Sequence, residues 1–323
     1  MIGVVIVTYN SGEVIGPCLD SCKSYETVVV DNASSDTTLQ EVRKRPWVQL
    51  IPNVENRGFA AAVNQGVECF KQDLVLLLNP DVVLLTSLDL LERACARPDT
   101  AAACGLLVDS TGQPQHGFSV RRLPTAVTLI FEVLGVNRLL PFNPVNRRYR
   151  CLDLDLSRTQ TVQQPAGAFL LFRRDVWEEL GGFDARFYPL WFEDVDFCRR
   201  IAEAGMTIQF IPEVRAQHRG GHSVTRLSWS QRELYWYGSL LRYAAKYLKA
   251  GAFRAVCLSV AVGSFLRIVV GFAQTGDLSP LRVYKNVIHL AFSATIRAAA
   301  QKEEMRSAAG SSELRKVDVQ RKR

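Results

Sequence analysis

Three short apolar runs, at residues 4–7, 27–30 and 74–78, each stop abruptly at a polar cluster. The clusters are Thr8-Tyr9-Asn10-Ser11, the stretch from Asp31 to Asp36, and Asn79-Pro80-Asp81. An apolar run without polar alternation reads as a strand buried on both faces, and helical patterns separate these runs. A helix is expected over 38–45, a strand over 48–51, and a helix opening at Asn56-Arg57-Gly58-Phe59 and reaching about residue 70. Strands alternating with helices predict an α/β fold with a mainly parallel central sheet flanked by helices. Such sheets bind ligands at the carboxyl ends of their strands, so three polar strand ends predict one site rather than three unrelated loops.

A second cluster lies far downstream, in Trp191-Phe192-Glu193-Asp194-Val195-Asp196. Carboxylates are seldom set among aromatics without a partner, because stripping water from a charge is costly. Two such clusters suggest one carboxylate that holds a metal and one that handles a proton, the equipment for moving a group off a phosphate. Plainer uses stand beside this. Asp81 could cap a helix after Pro80, Asp194 could pair with Arg199 or Arg200, and a helix start attracts acids such as Glu193 and Asp196 anyway. His218 and His222 could be ligands or structural histidines, and Tyr188 and Trp191 either core or a platform for a sugar. No Gly-x-Gly-x-x-Gly or Walker-type loop occurs, which excludes an ordinary dinucleotide or P-loop site.

Residues 110–164 read as irregular, with Pro114, Pro124, Pro141 and Pro144 and a basic cluster of Arg147, Arg148 and Arg150. This cluster is either a solvated face or a contact to an acceptor diphosphate. Order returns at 165–172, with a helix started by Asp175, a Gly181-Gly182-Phe183-Asp184 turn, and a helix over 194–204 stopped by Gly205.

The charge is uneven. Residues 228–323 carry 16 Lys and Arg against 6 Asp and Glu, whereas residues 1–227 carry 23 against 26. The excess of cations therefore belongs to the last third and predicts an anionic surface as its partner. A membrane fits better than nucleic acid, for which no recognition motif is present. Ser230-Gln231-Arg232-Glu233 has the form of a capping box, opening a helix with Leu234, Tyr237, Leu241, Ala245 and Leu248 on one side and Arg242, Lys246 and Lys249 as a basic stripe. Residues 255–273 are long enough to raise the transmembrane question, but Arg267 and several small residues favour an interfacial or docked helix. The tail from 301 to 323 is polar and basic and is expected to be disordered. The eight cysteines form no Cys-x-x-Cys pair; Cys69 and Cys257, in apolar settings, read as core thiols of a reducing compartment. The start, Met1 to Val7, lacks a basic leader and a cleavage site and reads as a first strand. A cytoplasmic enzyme, peripheral on the inner face of the membrane, is expected.

The motifs, taken in order, resemble the family 2 glycosyltransferases with the GT-A fold. They are Val-Thr-Tyr-Asn (7–10), Val-Asp-Asn-Ala-Ser-Ser-Asp (30–36), Asn-Arg-Gly-Phe-Ala (56–60) with Asn64, and Asn-Pro-Asp (79–81). Gly-Ala-Phe (167–169), Gly-Gly-Phe-Asp (181–184), Glu-Asp-Val-Asp (193–196) and His-x-x-Gly-x-Ser (218–223) follow. Within the family the chain is most similar to rhamnosyltransferases that build bacterial surface polysaccharides. The resemblance covers about 2–225 and implies a catalytic domain over 1–227, leaving 228–300 as a helical membrane-associating region. It implies inverting transfer from a nucleotide-sugar donor, dTDP-rhamnose foremost, to a glycan or polyprenyl-diphosphate-linked acceptor. Thr8, Asn10 and Asp31 would hold the base and ribose; Asp36, Arg57, Asn64 and Gly167 would frame the nucleotide pocket, with Arg57 near phosphate. Asp81 is similar to the surviving metal ligand of an Asp-x-Asp motif whose first position is here Asn79, and His218 to a later ligand. Asp194 matches the general base, with Glu193 beside it. An oxygen-rich site with one imidazole suits Mg²⁺ or Mn²⁺. Two other readings are a sugar nucleotidyltransferase and a non-catalytic, membrane-attached binder of nucleotide sugar or glycan.

Overall fold

A computed structural model describes residues 1–220 and 226–296. Eleven strands are present among them: β1 (Ile2–Thr8), β2 (Glu26–Asp31), β3 (Val48–Pro52), β4 (Leu74–Leu78), β5 (Val82–Leu84), β6 (Thr100–Val108), β7 (Val120–Arg121), β8 (Gln160–Val162), β9 (Gln164–Pro165), β10 (Phe169–Arg173) and β11 (Thr207–His218). The main sheet has the order β3-β2-β1-β4-β10-β6-β11-β5, with β8 paired to β11, while β7 and β9 form a separate ribbon. Strands β1, β2, β3, β4, β6 and β11 run one way; β10, β5 and β8 run against them. The sheet is thus mainly parallel, with β10 inserted antiparallel at its centre.

The unbroken apolar runs follow from cover on both faces. Val5, Val7, Val28, Val30, Val75, Leu77, Leu170 and Phe172 enter one core. Their alternate neighbours Val4, Ile6, Val29, Leu76, Leu78, Phe169 and Leu171 enter the other. With period-two geometry and two buried faces, no position is left for a polar residue until the strand ends.

The last strand carries a local irregularity that sets the site. Pro212 interrupts β11 and has no N–H to donate to the ladder. The β6–β11 register shifts between Ile211 and Arg215. Gly105 of β6 lies beneath this bulge, where a Cβ would come within 2.2 Å of the Val214 carbonyl. Beyond the bulge β11 pairs with β5, setting His218 opposite Val82 and so beside Asp81.

The region 110–164 is more ordered than its prolines suggest. It holds helices Ala126–Val133, Val136–Leu139 and Pro144–Tyr149. Thr125 and Asn143 cap the first and third with their side chains, and Pro144 sits in the first turn, where its missing N–H costs nothing.

Two expectations for the C-terminal third are corrected. The capping box is Ser228 with Gln231, not Ser230 with Glu233, and the helix runs over Trp229–Tyr247. Both pairs fit the same four-residue pattern. The basic stripe does not face outward as a unit: Lys246 Nζ bridges Asp184 and Asp196 at 2.8 and 2.5 Å, and Arg242 donates to the Tyr188 carbonyl at 3.2 Å. Next come helix Ala250–Thr275 and a helix over 279–296. A third core joins Tyr237, Leu240, Tyr243, Phe253, Val256 and Val287 of these helices to Leu129, Val133, Phe187, Phe192 and Val195. Helix Ala250–Gln274 is long and apolar enough to cross a membrane, with mean hydropathy 2.1 and 28% of its apolar window buried. Cys257 is buried as expected, whereas Cys69 is exposed at a helix end. The 301–323 tail and His222 lie outside the described residues.

Candidate active site

A cavity of about 710 Å³ opens at the carboxyl ends of β1 and β4. Of the residues singled out from the sequence, Thr8, Asn79, Asp81, Gly167, Glu193, Asp194 and His218 line it, together with Tyr188 and Trp191. The pairing of β11 with β5 and the turn from Asn79 to Val82, closed by a 3.1 Å bond between their backbones, bring Asp81 and His218 together.

His218 Nε2 lies 3.6 Å from Asp81 Oδ1, too far for a hydrogen bond, and both side chains are buried. On its other side Nδ1 meets Gln115 Oε1 at 2.9 Å, while Gln115 Nε2 donates to the His218 carbonyl at 2.8 Å. Phe118 stacks on the ring at 4.8 Å. Burial lowers the imidazole's pKa, opposed by the Asp81 charge. A neutral ring donating Nδ1–H to Gln115 presents its Nε2 lone pair toward Asp81, the arrangement in which a histidine held from behind serves as a metal ligand. One carboxylate and one imidazole fit a divalent cation whose remaining positions are filled by ligand oxygens and water. No group of three or more His, Cys, Asp or Glu side chains suited to a metal occurs among the described residues, so within them the pair stands without a third such ligand.

Asp194 is held differently. Its Oδ2 accepts from the Gly167 N–H at 2.9 Å and lies 3.4 Å from Gln164 Nε2, and Oδ1 accepts from the Val195 N–H at 2.8 Å. A Cβ on residue 167 would sit 2.9 Å from Asp194 Cβ, so only glycine brings that amide to the carboxylate without displacement. The alternative of an ion pair is not realised: Arg199 pairs with Glu203 and Arg200 with Asp196, each at 2.8 Å. Burial raises the Asp194 carboxyl's pKa, and the Gly167 and Val195 amides and the Arg121 charge hold it down in part. Glu193 is raised well above the carboxylate range, by burial first and by Asp194 second. Its Oε2 and Gln164 Oε1 are buried without a hydrogen-bond partner among the described residues, and both residues border the cavity. Unsatisfied buried acceptors of this kind call for a ligand or water.

The backbone pays locally for this placement. Trp191 and Phe192 both have positive φ, 74° and 70°, immediately before helix Glu193–Glu203. Left-handed conformations at bulky residues cost roughly 1–3 kcal/mol each and persist only where the surroundings enforce them. Here Phe192 is packed into the third core against Tyr243, ring centroids 5.5 Å apart. The elbow turns the first residues of the helix, Glu193 and Asp194, toward the cavity. Asp196, two residues on, points away and is completely buried among Arg200, Lys246 and the Tyr247 hydroxyl.

Five expected residues do not line the cavity. Asp31 is buried and accepts from Thr8 Oγ1 at 2.7 Å and from the Ser34 backbone and hydroxyl, so it orients Thr8. Asn10 accepts from the Ser35 N–H at 2.8 Å, and Asp36 from Gly12 N–H at 3.0 Å and from Thr38; both tie the first loop to the second. Asn64 is turned onto the Gly-Gly-Phe-Asp turn: Oδ1 accepts from the Phe183 N–H and Nδ2 donates to the Phe183 carbonyl, both at 2.8 Å. Arg57 is beside the cavity-lining Asn56 without lining the cavity itself. The positive φ of Gly58 next to it, 83°, lets Phe59 N–H reach the Pro189 carbonyl at 2.8 Å. The structure adds Tyr9, Asn32, Asn56 and Phe59 on this side and Arg121, Glu132, Tyr149, Arg150, Gln164 and Trp236 on the other. Tyr9, Asn32, Asn56 and Phe59 belong to the motifs quoted above without having been singled out, and Arg150 to the basic cluster; Arg121, Glu132, Tyr149, Gln164 and Trp236 carried no signal in the sequence.

Comparison with known proteins places these residues in context. Residues 3–181 match the family described as glycosyl transferase family 2, and residues 147–296 match glycosyl transferase family group 2. The N-acetylglucosaminyl-diphospho-decaprenol L-rhamnosyltransferase of Mycobacterium tuberculosis is 32% identical over 243 residues, covering 69% of this chain and 77% of that protein. Rhamnosyltransferase WbbL of Escherichia coli K12 is 24% identical over 263 residues, 76% of this chain and 93% of that one. Among solved structures, the mannosyltransferase PcManGT of Pyrobaculum calidifontis, in complex with GDP-Man and Mn²⁺, shares the fold with a TM-score of 0.51 at 19% identity, covering 93% of this chain and 86% of that one.

Proposed function

The chain belongs to glycosyl transferase family 2 and is a glycosyltransferase, and from that premise we propose that it transfers L-rhamnose from dTDP-rhamnose, with inversion, to a lipid-linked or nascent surface glycan. The observation that carries the mechanism is Asp194: a carboxylate at the cavity wall, held by the Gly167 amide and in no ion pair among the described residues. Asp194 removes the acceptor hydroxyl's proton as that oxygen bonds to the anomeric carbon. The bond from that carbon to the donor diphosphate breaks, and its electron pair leaves with the diphosphate. Because burial raises its pKa, Asp194 is a better base than a solvated carboxylate. Thr8, oriented by Asp31, with Tyr9, Asn32, Asn56 and Phe59, forms the nucleotide side of the cavity. Asp81 and His218, with Asn79 alongside, would hold a divalent cation. When bound, that cation neutralises charge on the departing diphosphate, so the leaving group needs no protein acid. Transfer of rhamnose is supported by the rhamnosyltransferase activity of both relatives, and a lipid-linked acceptor by that of the Mycobacterium tuberculosis enzyme.

The protein is further read as 1–227 catalytic and 228–300 membrane-associating, peripheral on the inner face of the bacterial membrane. Leu258, Phe265 and Phe272, seven positions apart and so on one side of helix Ala250–Thr275, are exposed, as are Phe292 and Ile296 on the helix that follows. The deciding experiment is Asp194→Asn assayed for transfer from dTDP-rhamnose to membrane-lipid acceptor. Turnover falls by about 10²–10⁴-fold, the range of general-base catalysis, with nucleotide binding retained; near-normal turnover would remove Asp194 as the base. A thermal-shift panel of nucleoside diphosphates with and without Mn²⁺ tests the donor, since a ligand at about 100 times its Kd stabilises by about 2.7 kcal/mol. A shift with UDP or GDP and none with dTDP would discard rhamnose.

A further inference from the structure

Two arginines that both contact Gly117 border the cavity. Arg121 leaves β7 and its Nε donates to the Gly117 carbonyl at 2.8 Å. Arg150 follows helix Pro144–Tyr149, and its stem packs on the same glycine, with Cβ 3.1 Å from where a Gly117 side chain would begin. Gly117 has φ of 72° and no side chain, so it lets both arginines close on it. Both border the cavity that holds Asp194.

Their charges are incompletely balanced. Arg150 Nη2 lies 3.5 Å from Glu132 Oε1, and its Nε donates to Asn146 Oδ1 at 3.0 Å. Arg121 forms no ion pair among the described residues; beyond Gly117 it meets the face of Phe118, 5.8 Å from its guanidinium carbon, and its charge reaches Asp194. Its two terminal nitrogens, with their N–H groups, are left for a ligand. Guanidinium forks present paired donors that match phosphate oxygens, and two arginines bordering one cavity suit a diphosphate better than a neutral sugar.

We propose that Arg121 and Arg150 form the seat of the acceptor's diphosphate, separate from the Asp81–His218 seat of the donor's. The inference rests on the lipid-linked acceptor reading and deepens it. It gives the acceptor a charged handle on the Asp194 side of the cavity, so that binding the phosphate sets the distance from the lipid anchor to the hydroxyl that attacks. Phe118 divides the two seats, touching His218 on its ring and Arg121 through its face.

The test uses the full chain in detergent, saturated with Mn²⁺ and dTDP to fill the donor side, and titrates in farnesyl diphosphate, with farnesol as the uncharged control. The parent binds the diphosphate at least tenfold more tightly than the alcohol. Arg121→Gln weakens it tenfold or more, equivalent to about 1.4 kcal/mol. Arg121→Lys recovers part of the loss, and dTDP affinity measured alone changes less than twofold. Arg150→Gln acts in the same direction, with thermal unfolding of each variant as the control for folding. Displacement of farnesyl diphosphate by dTDP, a loss of dTDP affinity in Arg121→Gln, absence of diphosphate binding to the parent, or unchanged binding in the variants each overturns the assignment. Failure of the transferase reading shows separately, as no nucleoside diphosphate bound with or without Mn²⁺.

Discussion

Asp194 and Asp196 are two residues apart, and replacing them has opposite consequences. Asp196 is completely buried and accepts from Arg200 Nε at 2.8 Å, Lys246 Nζ at 2.5 Å and the Tyr247 hydroxyl at 2.7 Å. Removing one partner of a buried ion pair costs about 3–5 kcal/mol, because the other charge is left uncompensated. The surroundings place Asp196→Ala at the lower end. Arg200 retains the Leu180 and Gly182 carbonyls, both at 2.7 Å, and Lys246 retains Asp184 at 2.8 Å. About 3 kcal/mol corresponds to a fall in Tm of roughly 4–5 °C for a chain of 323 residues at about 2.1 cal/mol/K per residue. Asp194→Asn removes no ion pair; its amide can accept only one of the Gly167 and Val195 N–H bonds, but relief of a buried charge offsets that loss, so its Tm falls much less than that of Asp196→Ala. Thermal unfolding of both variants, with transfer activity measured below either Tm, separates the two roles. The reasoning fails if Asp196→Ala unfolds within about 1 kcal/mol of the parent, or if Asp194→Asn is destabilised as much as Asp196→Ala.

Other perturbations of the same cavity have distinct readouts. Gly167→Ala sets a methyl 2.9 Å from Asp194 Cβ, so kcat falls at least tenfold while donor affinity stays within twofold; unchanged kcat would show that the amide contact is not needed. Gln115→Leu frees the His218 ring, and the metal concentration for half-activation rises by about 10–100-fold, as for lost partners of metal-bound histidines. The base must be ionised, so kcat rises with pH through a midpoint above the usual Asp value of about 3.9. Because the Arg121 charge holds that pKa down, Arg121→Gln moves the midpoint upward, and a downward shift would contradict the assignment.

The legibility of the sequence divided along one physical line. Strands β1, β2 and β4 were legible because burial on both faces forces an unbroken apolar run, and their ends located Thr8 and Asp81 at the cavity. Asp194 was legible as a charge among aromatics. Asn10, Asp36 and Asn64 were read as pocket residues, yet their amides and carboxylates are engaged in holding loops to one another. A motif marks a position as needed without saying whether it meets ligand or protein. The wall from Gln115 to Arg150 was not legible, since it forms through contacts such as Gln115 with His218, 103 positions apart. The partners of Lys246 were not legible for the same reason: a cation on a helix gives no sign of the aspartates that 50 and 62 positions of chain bring to it.

The third core has a practical meaning for anyone dissecting this enzyme. A catalytic unit moored by a flexible tether can be cut loose and keep working. Here Tyr237, Leu240 and Tyr243 form the backing against which Phe187, Phe192 and Val195 are pressed. Truncation before Ser228 therefore does not yield a soluble minimal enzyme. It strips the support from the strained elbow that turns Asp194 toward the cavity, so the fragment is expected to lose activity, and solubility is better sought by repainting the exposed apolar side chains of the helices than by deleting them.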